Sequence, residues 1–570
     1  MDKSVGVLGG GQLGRMLVEA ANLLEIRINF LDAPNSSAKQ VSNHGGHVDG
    51  SFKDREAIRK FATTSDVLTI EIEHVDTQIL EEISTTTDVQ PSWRTIRTIQ
   101  DKFLQKEHLA SHGVALAQSV RLEEATCTEL ERASQELGLP LMLKSRKEAY
   151  DGHGNYPTRS KEDFQQALKV LGSKNELYAE QWADFKMELA VIVVKTKDQV
   201  LSFPTVETIH ENSICKLVYA PARGVSTNIN KEAQALARKA VACFEGKGVF
   251  GVEMFLLEDD TLLVNEIAPR PHNSGHYTIE GCPISQYEAH LRAILDLPIQ
   301  QEDLDLREPA VMLNILGGDA PDSHMKVANE ALKHRRTKVH LYGKGQARKG
   351  RKMGHITVIA PNMYEAEELM KPMIDFVDAQ NGTSTLTSQS RDYSAPRPRV
   401  AVIMGSDSDL PVLQPGLAIL DKFTIPYTTR ITSAHRTPAV MASFASNAAA
   451  DGVQCIIAAA GGAAHLLGMT AAYTPLPVIG VPVKPTIGDG MDSLLSICNM
   501  PKGVPVATVS VNNSVNAALL AARILGAGDA RVRAQVEGYM KESEREVKEK
   551  DERLSQMGAG EYVARYSGKK

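Results

Sequence analysis

The chain opens on a short apolar run, Val5–Leu8, which breaks at GGGQLG and resumes as RMLVEAANLL with apolar residues at helical spacing. Strand, glycine turn and helix in that order begin a βαβ unit. Ile26–Leu31 supplies the next strand and Val67–Ile72 another, ending in the acidic Glu71–Ile72–Glu73. From about Asp101 the pattern changes: DKFLQKEHLASHG reads as a helix, and strands then alternate with helices to about residue 300. LPLMLKSR, ELYAEQW, MELAVIVV, GVFGVEMFLL and TLLVNEIAP are the main strand candidates. Residues 311–377 read as a smaller α+β piece, with VHLYGK and KMGHITVI as strands and Glu365–Val377 as a helix. Periodicity then stops. Between Asp378 and Arg399 the chain is rich in Ser, Thr, Gln, Asn and Pro, has little to bury, and reads as a flexible linker.

RVAVIMGSDSDLPV restarts the same local architecture, and QCIIAAAG, PVIGVPVK and VPVATVSV follow as strands between the small-residue helices PAVMASFASNAAA and VNAALLAARIL. This pattern fits a parallel sheet covered by helices. The tail, EGYMKESEREVKEKDERL, reads as a solvated helix with pairs such as Glu546–Lys550. The expected fold is α/β and multidomain. Its expected boundaries are 1–100 for a βαβ substrate-binding domain, 101–300 for the second domain and 301–377 for a small α+β domain. The linker is expected at 378–398, an α/β/α domain at 399–537 and a charged helix and tail at 538–570.

With 570 residues the chain exceeds a single core. Hydrophobic residues at 42% and charged residues at 23% are ordinary for a globular protein, and a net charge of −7 gives no reason to expect nucleic acid or an acidic membrane as partner. The six cysteines lie far apart without zinc spacing, and read as reduced thiols. The first residues run directly into the strand without a leader pattern, and no apolar stretch approaches the roughly 20 residues of a membrane span. A cytosolic location is expected.

GGGQLG can present backbone N–H groups at a helix N-terminus to a phosphate. It also fits a dinucleotide site, with Asp32 in reach, or a purely structural turn. Lys102 and Lys144 are cationic candidates, and AYDGHGN is a polar glycine loop able to close over phosphates. Glu180 and Glu188 flank a turn containing Trp182 that can hold a nucleotide base and ribose. Glu253 and Glu266 sit on two adjacent strand candidates, where two carboxylates are poorly matched unless a cation such as Mg²⁺ separates them, and Asn273 can add an oxygen. Any one of these lysines taken alone reads as a surface residue sooner than as a ligand. Together the residues point to an ATP site.

GGGQLGRM, TIEIEH, DKFLQK, LKSR…YDGHGN, YAEQW, VEMF and NEIAPRPHNSGH resemble the 5-(carboxyamino)imidazole ribonucleotide synthases, ATP-grasp enzymes of purine biosynthesis, over about residues 3–375. The resemblance implies a biotin-carboxylase-like N-domain, an ATP-grasp domain and a small C-domain. It also implies that ATP activates bicarbonate for attack by the amine of 5-aminoimidazole ribonucleotide. Carried over, Lys102, Lys144, Asp151, Gly152, Gly154, Glu180 and Glu188 would bind ATP, and Glu253 and Glu266 would hold Mg²⁺. Gln12, Leu13, Glu73, Asn273, Lys344, Arg351 and Lys352 would bind ribonucleotide or bicarbonate, with Asp151 also facing that side and Arg351 catalytic. His153 stands where the family commonly has lysine.

In the rear half, MGSDSDLP, SAHRTP and AAAGGAAHLLGM each follow an apolar strand, so their loops converge where open α/β sheets bind ligands. Ser406 and Ser408 can donate to phosphate and Asp409 can accept from hydroxyls. Arg436 offers a permanent cation, and His435 is the candidate for proton transfer, as histidine is the side chain suited to acid–base work near neutral pH. Structural roles for His435 and His465 fit the same positions. No lysine, thiol or metal-ligand cluster accompanies these loops, so acid–base chemistry on an electron-rich substrate is what they can support.

VAVIMGSDSD, SAHRTP, AGGAAHLLGM, PVIGVP, DSLLSICNMPKGVPVATV and NAALLAARIL resemble the class I N5-carboxyaminoimidazole ribonucleotide mutases over about residues 398–530. The resemblance implies a flavodoxin-like three-layer domain with His435 and Ser433 catalytic and Ser406, Ser408, Asp409, Arg436, Ala463 and His465 lining the substrate. Ala460 stands where relatives usually have glycine. It also implies a homo-octamer built through this domain. Together the two likenesses imply a fungal-type bifunctional fusion, in which the front half makes an unstable carbamate beside its consumer. Two other enzyme readings compete, a ligase acting on another amine and a direct ATP-independent carboxylase, and so does a non-enzymatic sensing module.

Overall fold

Two units divide the chain, Met1–Ser390 and Arg391–Lys570. The computed structural model describes residues 3–147, 154–172, 176–381, 398–449 and 451–566.

The front unit begins with a five-stranded parallel sheet. Its strands lie in the order Val48–Asp49, Arg27–Asp32, Ser4–Leu8, Val67–Ile70 and Asp88–Val89. Side chains alternate across a strand, so each face needs its own cover. Leu8, Leu31, Leu68 and Ile70 pack with Ile58, Phe61, Ile79, Leu80 and Ile96 from the three helices between residues 55 and 100. On the other face, Val5, Val7, Ile28 and Phe30 pack with the helix Gln12–Leu23 and with Tyr287, Leu291 and Ile294 of the helix Gln286–Ile294. The expected 1–100 domain is therefore closed by a helix nearly 200 residues downstream. His290 pins that helix. Its Nδ1 accepts from the Val249 N–H at 3.1 Å, leaving Nε2–H to donate to Thr69 Oγ1 at 2.9 Å, and burial lowers its pKa to about 4.

A small antiparallel sheet follows, with strands ordered Ser119–Arg121, Leu177–Gln181, Leu141–Ser145 and Asn155–Thr158. The helices Cys127–Leu137 and Phe164–Leu171 cover it. The remaining strands form a nine-stranded sheet. Its path runs from Leu262–Ala268 through Gly248–Leu257, Phe185–Lys195, Val206–Glu211 and Ile214–Ala220 into Ala310–Leu316, Lys352–Ile359 and Thr337–Leu341. Ile214–Ala220 pairs antiparallel with Ala310–Leu316, so the expected boundary near 301 falls within one sheet. Arg223 reinforces the join. Its guanidinium bonds both Glu207 oxygens at 2.7 and 3.1 Å, and Glu367 of the helix Met363–Asn381 at 2.6 Å. That helix takes in the first residues assigned to the linker; 382–397 lie outside the described residues.

In the rear unit five parallel strands lie in the order Tyr427–Ile431, Val400–Met404, Cys455–Gly461, Val478–Val483 and Ala507–Thr508. This 2-1-3-4-5 arrangement is that of a doubly wound sheet. Its strands are apolar on both faces because both are covered. Val400, Val402 and Met404 meet the helices Leu410–Lys422 and Ser514–Gly528, while Ala401 and Ile403 meet residues of Pro438–Asn447, His465–Tyr473 and Met491–Cys498. The charged tail starts earlier than 538. One helix spans Ala530–Met557, capped by Asp529, which also pairs with Arg399 at 2.6 Å, and Val532 and Val536 are buried in the core. Only the later turns are the solvated helix that the charge pattern predicts.

Candidate functional site

Glu253 and Glu266 lie directly opposite each other on adjacent strands of the large sheet. Lys102 meets Glu266 at 2.8 Å from the first turn of the helix Lys102–Ser111. That helix end is held rigid. Asp101 accepts the N–H groups of Phe103 and Leu104 and receives Arg146 at 2.6 and 3.1 Å. Burial pushes the Glu266 pKa up, but the Lys102 ammonium outweighs it and leaves the carboxyl below its ordinary range. Glu253 faces His272 at 3.6 Å; burial and then the Glu266 charge raise its pKa. The His272 imidazole is neutral, lowered to about 3 by burial and the Arg270 charge. Among the described residues no three His, Cys, Asp or Glu side chains form a metal cluster. Two opposed carboxylates alone suit a hard cation that completes its shell with water and phosphate oxygens, as Mg²⁺ does.

Beside this pair Glu180 bridges Lys106 at 2.6 Å and Lys144 at 2.8 Å, and Lys144 also reaches Asn265 Oδ1 at 3.5 Å. Glu188, on Phe185–Lys195, pairs with His210. Burial lowers the His210 pKa, but the hydrogen bond and charge of Glu188 raise it further, and Glu253 contributes to the same field. Gly154 is in the left-handed region at φ +92°, just before the strand Asn155–Thr158. Asp151, Gly152 and His153 lie outside the described residues. Lys106, His210, Asn265 and Arg270 escaped the sequence reading. Lys106 alone had a local signal, since it stands one helical turn from Lys102.

On the other side of Lys102, Glu73 takes Arg270 through two bonds at 2.6 and 3.2 Å. Burial opposes its charge, but Arg270 holds it well below the carboxylate range. Lys344 donates to the Gln12 side chain and to the Lys352 carbonyl at 2.8 Å, and the exposed Arg351 reaches the Lys344 carbonyl at 3.5 Å. Gln12, Lys344, Arg351 and Lys352 thus meet although more than 300 residues separate the first from the others. Asn273 is buried and its amide is paired both ways with Asn314, at 3.0 and 2.7 Å. The Leu13 side chain is buried and its N–H donates to Glu71 at 2.8 Å.

Of the three readings of the glycine turn, the structure favours the structural one. Glu71 accepts the N–H groups of Gly11, Leu13 and Gly14, so its carboxyl group already occupies the helix N-terminus; burial raises its pKa and these three donors oppose that rise. Asp32 accepts from Gly10 at 2.6 Å and Ala33 at 2.7 Å, so the residue expected to meet a dinucleotide ribose is engaged with backbone.

In the rear unit the three loops converge as their positions at strand ends predict. His435 Nε2 lies 2.7 Å from His465 Nδ1, with the rings edge to face. Ser433 Oγ accepts the Arg436 N–H at 3.2 Å, and the Arg436 guanidinium donates to the Gly405 carbonyl at 3.3 Å, tying SAHRTP to MGSDSD. Ser406 caps the short turn Asp407–Asp409, and burial raises the Asp409 pKa. Ser408, His435, Arg436, Ala463 and His465 are exposed. Ala464 takes a left-handed φ of +44° that swings His465 to the head of its helix.

The sequence matches four family descriptions in succession. These are the ribonucleotide synthetase preATP-grasp domain over 1–100, the ATP-grasp domain over 107–287, the phosphoribosylaminoimidazole carboxylase C-terminal domain over 310–369 and AIR carboxylase over 399–546. It is 52% identical to a phosphoribosylaminoimidazole carboxylase of Ogataea methanolica, over 92% of this chain and 98% of that one. Against the Saccharomyces cerevisiae protein of the same name identity is 50%, covering 98% and 99%. Among solved structures, N5-carboxyaminoimidazole synthase of Aspergillus clavatus with ADP and 5-aminoimidazole ribonucleotide matches with a TM-score of 0.65 and 62% identity, covering 66% of this chain and 99% of that one.

Proposed function

The chain belongs to the phosphoribosylaminoimidazole carboxylase family, and on that premise we propose how its residues divide the work. The enzyme carboxylates 5-aminoimidazole ribonucleotide on its amine, using ATP and bicarbonate, and then transfers the carboxyl group to C4, in purine biosynthesis.

In the front unit Lys102, Lys144, Glu180, Glu188 and the loop Asp151–Gly154 bind ATP, and Glu253 and Glu266 are the residues that would hold Mg²⁺. Mg²⁺ bound there would supply charge neutralisation for the phosphates during phosphoryl transfer. Lys102 keeps Glu266 ionised and pre-aimed, and Lys144, carried on a rigid strand, presents a second cation. Glu73, Gln12, Lys344, Arg351 and Lys352 hold the ribonucleotide with its amine toward the activated carboxyl, Arg351 and Lys352 supplying charge for its phosphate. Leu13 and Asn273 serve as scaffold for this side, through backbone and amide contacts respectively. The convergence of Lys102–Glu266 and Glu253 with Lys144–Glu180 is the observation that carries the reading.

In the rear unit His435 gives and takes the proton. At 2.7 Å, Nε2 of His435 and Nδ1 of His465 share one hydrogen, so a proton can pass at that atom without a solvent molecule between them. Ser433 flanks the imidazole, Arg436, Ser406 and Ser408 take the phosphate, Asp409 takes the ribose, and Ala463 and His465 wall the ring. Assembly into a homo-octamer through this unit fits its exposed apolar side chains, among them Ile431, Val440, Tyr473, Ile487 and Leu495. Six free cysteines accord with a cytosolic site of action. A coupled assay tests the whole reading: with ¹³C-bicarbonate the intact enzyme should consume ATP and place the label at C4. ATP consumption with unlabelled product would defeat it.

A further inference from the structure

The glycine run GGGQLG leads into a helix N-terminus, the usual setting for a bound phosphate. Here the missing side chains are accounted for by the protein itself. A Cβ on Gly11 would fall 2.7 Å from Glu71 Oε1, one on Gly9 3.1 Å from Glu71 Oε2, and one on Gly10 2.6 Å from Ser36 Oγ. The fourth glycine, Gly14, makes room for Phe30 at 2.9 Å and so serves helix–sheet packing. Glu71, itself 9% exposed, receives three backbone N–H groups from the turn and the first residues of the helix. Between those donors stands Gln12, the first residue of the helix, whose side chain meets Lys344.

We infer that Glu71 is a positioning residue of the ribonucleotide site, a built-in anion that fills the helix N-terminus and thereby fixes Gln12 against Lys344. The inference rests on the assignment of Gln12 and Lys344 to that site. Two consequences follow from the geometry. The substrate phosphate is directed away from the glycine turn, because a second anion there would face the Glu71 carboxylate, which already takes the N–H groups of Gly11, Leu13 and Gly14. And the orientation of Gln12 depends on an anion at the helix end more than on the Glu71 side chain as such, so a small carboxylate can stand in for it.

Steady-state kinetics of the full-length enzyme carry the test. Glu71→Ala should raise KM for 5-aminoimidazole ribonucleotide at least tenfold while KM for ATP stays within twofold. Added acetate should restore the ribonucleotide KM saturably in Glu71→Ala and leave the wild type unaffected. Glu71→Gln keeps the shape but loses the anion; it should show the same KM shift without acetate rescue, and it decides alone if Glu71→Ala does not fold. The rear reaction, measured on supplied carbamate, is expected to be unchanged and reports that the chain is intact. Gln12→Ala separates the two layers. If it raises the ribonucleotide KM while both Glu71 variants match the wild type, the positioning role is overturned and the site assignment survives. If Gln12→Ala also leaves that KM unchanged, the assignment itself fails. A Glu71→Ala deficit that raises both substrate KM values together and ignores acetate would mark Glu71 as merely structural.

Discussion

Glu180→Gln should cost the front unit about 3–5 kcal/mol of stability at pH 7, because it strands two ammonium groups that one carboxylate now serves. The side chains of Glu180 and Lys106 are 4% and 3% exposed, and that of Lys144 is 13% exposed. At 2.6 and 2.8 Å each pair gains about 6 kcal/mol of gross attraction at an effective dielectric near 20, most of it offset by desolvation. Removing the shared anion forfeits both attractions and keeps the desolvation of Lys106. Lys106→Met is the control. It leaves Glu180 with Lys144 and should cost only about 1.5–3 kcal/mol, the value of a hydrogen bond to a charged group. The pH dependence has a definite sign. Burial already lowers the Lys106 pKa despite Glu180, and loss of the carboxylate lowers it further. Between that depressed value and about 10.5 the unfolded chain binds more protons than the folded one, so stability rises with pH. The Glu180→Gln deficit should therefore shrink from pH 7 toward pH 10. Urea unfolding followed by tryptophan fluorescence reads it cleanly, since the two tryptophans, Trp93 and Trp182, both lie in the front unit. A deficit below about 1 kcal/mol, or one that grows with pH, would refute the reasoning.

Glu266→Gln should lower ATP turnover by about 10²–10³-fold and leave the rear reaction on supplied carbamate at the wild-type rate, as measured by ADP release and C4 carboxylation. His435→Asn should leave ATP consumption intact and reduce carboxyl transfer to C4 by about 10²–10⁴-fold. In metal-free enzyme burial and the Glu266 charge raise the Glu253 pKa to about 7, so the folded protein holds this proton more tightly than the unfolded chain does. That contribution is fully present below about 4.3 and is lost as pH rises through the folded value. Thermal midpoints in EDTA should fall across this range, and Mg²⁺ with ADP should flatten the dependence.

Most strands and helices were legible because apolar period alone separates them, and the repeated order of strand, turn and helix marked both units. Contacts between distant segments were not. Nothing in Gln286–Ile294 announces that its apolar face closes the first sheet, nor in Ala310–Leu316 that it pairs with Ile214–Ala220. The same blindness shaped the site. Carboxylates within apolar strands drew notice because burying them is costly, which singled out Glu253 and Glu266. Their neighbours Lys106, His210 and Arg270 sit in ordinary polar contexts and acquire meaning only through Glu180, Glu188 and Glu73. The glycine turn shows the opposite error of scale. Its pattern is equally that of a phosphate loop, and only the position of Glu71, some 60 residues away, decides between them.

Two independent sites joined by a diffusible carbamate are the core of this account, and mixing two disabled enzymes tests it most directly. Glu266→Gln and His435→Asn should each fail alone to convert 5-aminoimidazole ribonucleotide, ATP and ¹³C-bicarbonate into the C4-carboxylated product. Mixed in equal amounts, they should restore ATP-dependent labelling of C4, because one retains the working front site and the other the working rear site. A mixture as inactive as either variant, or full conversion by Glu266→Gln alone, would contradict it.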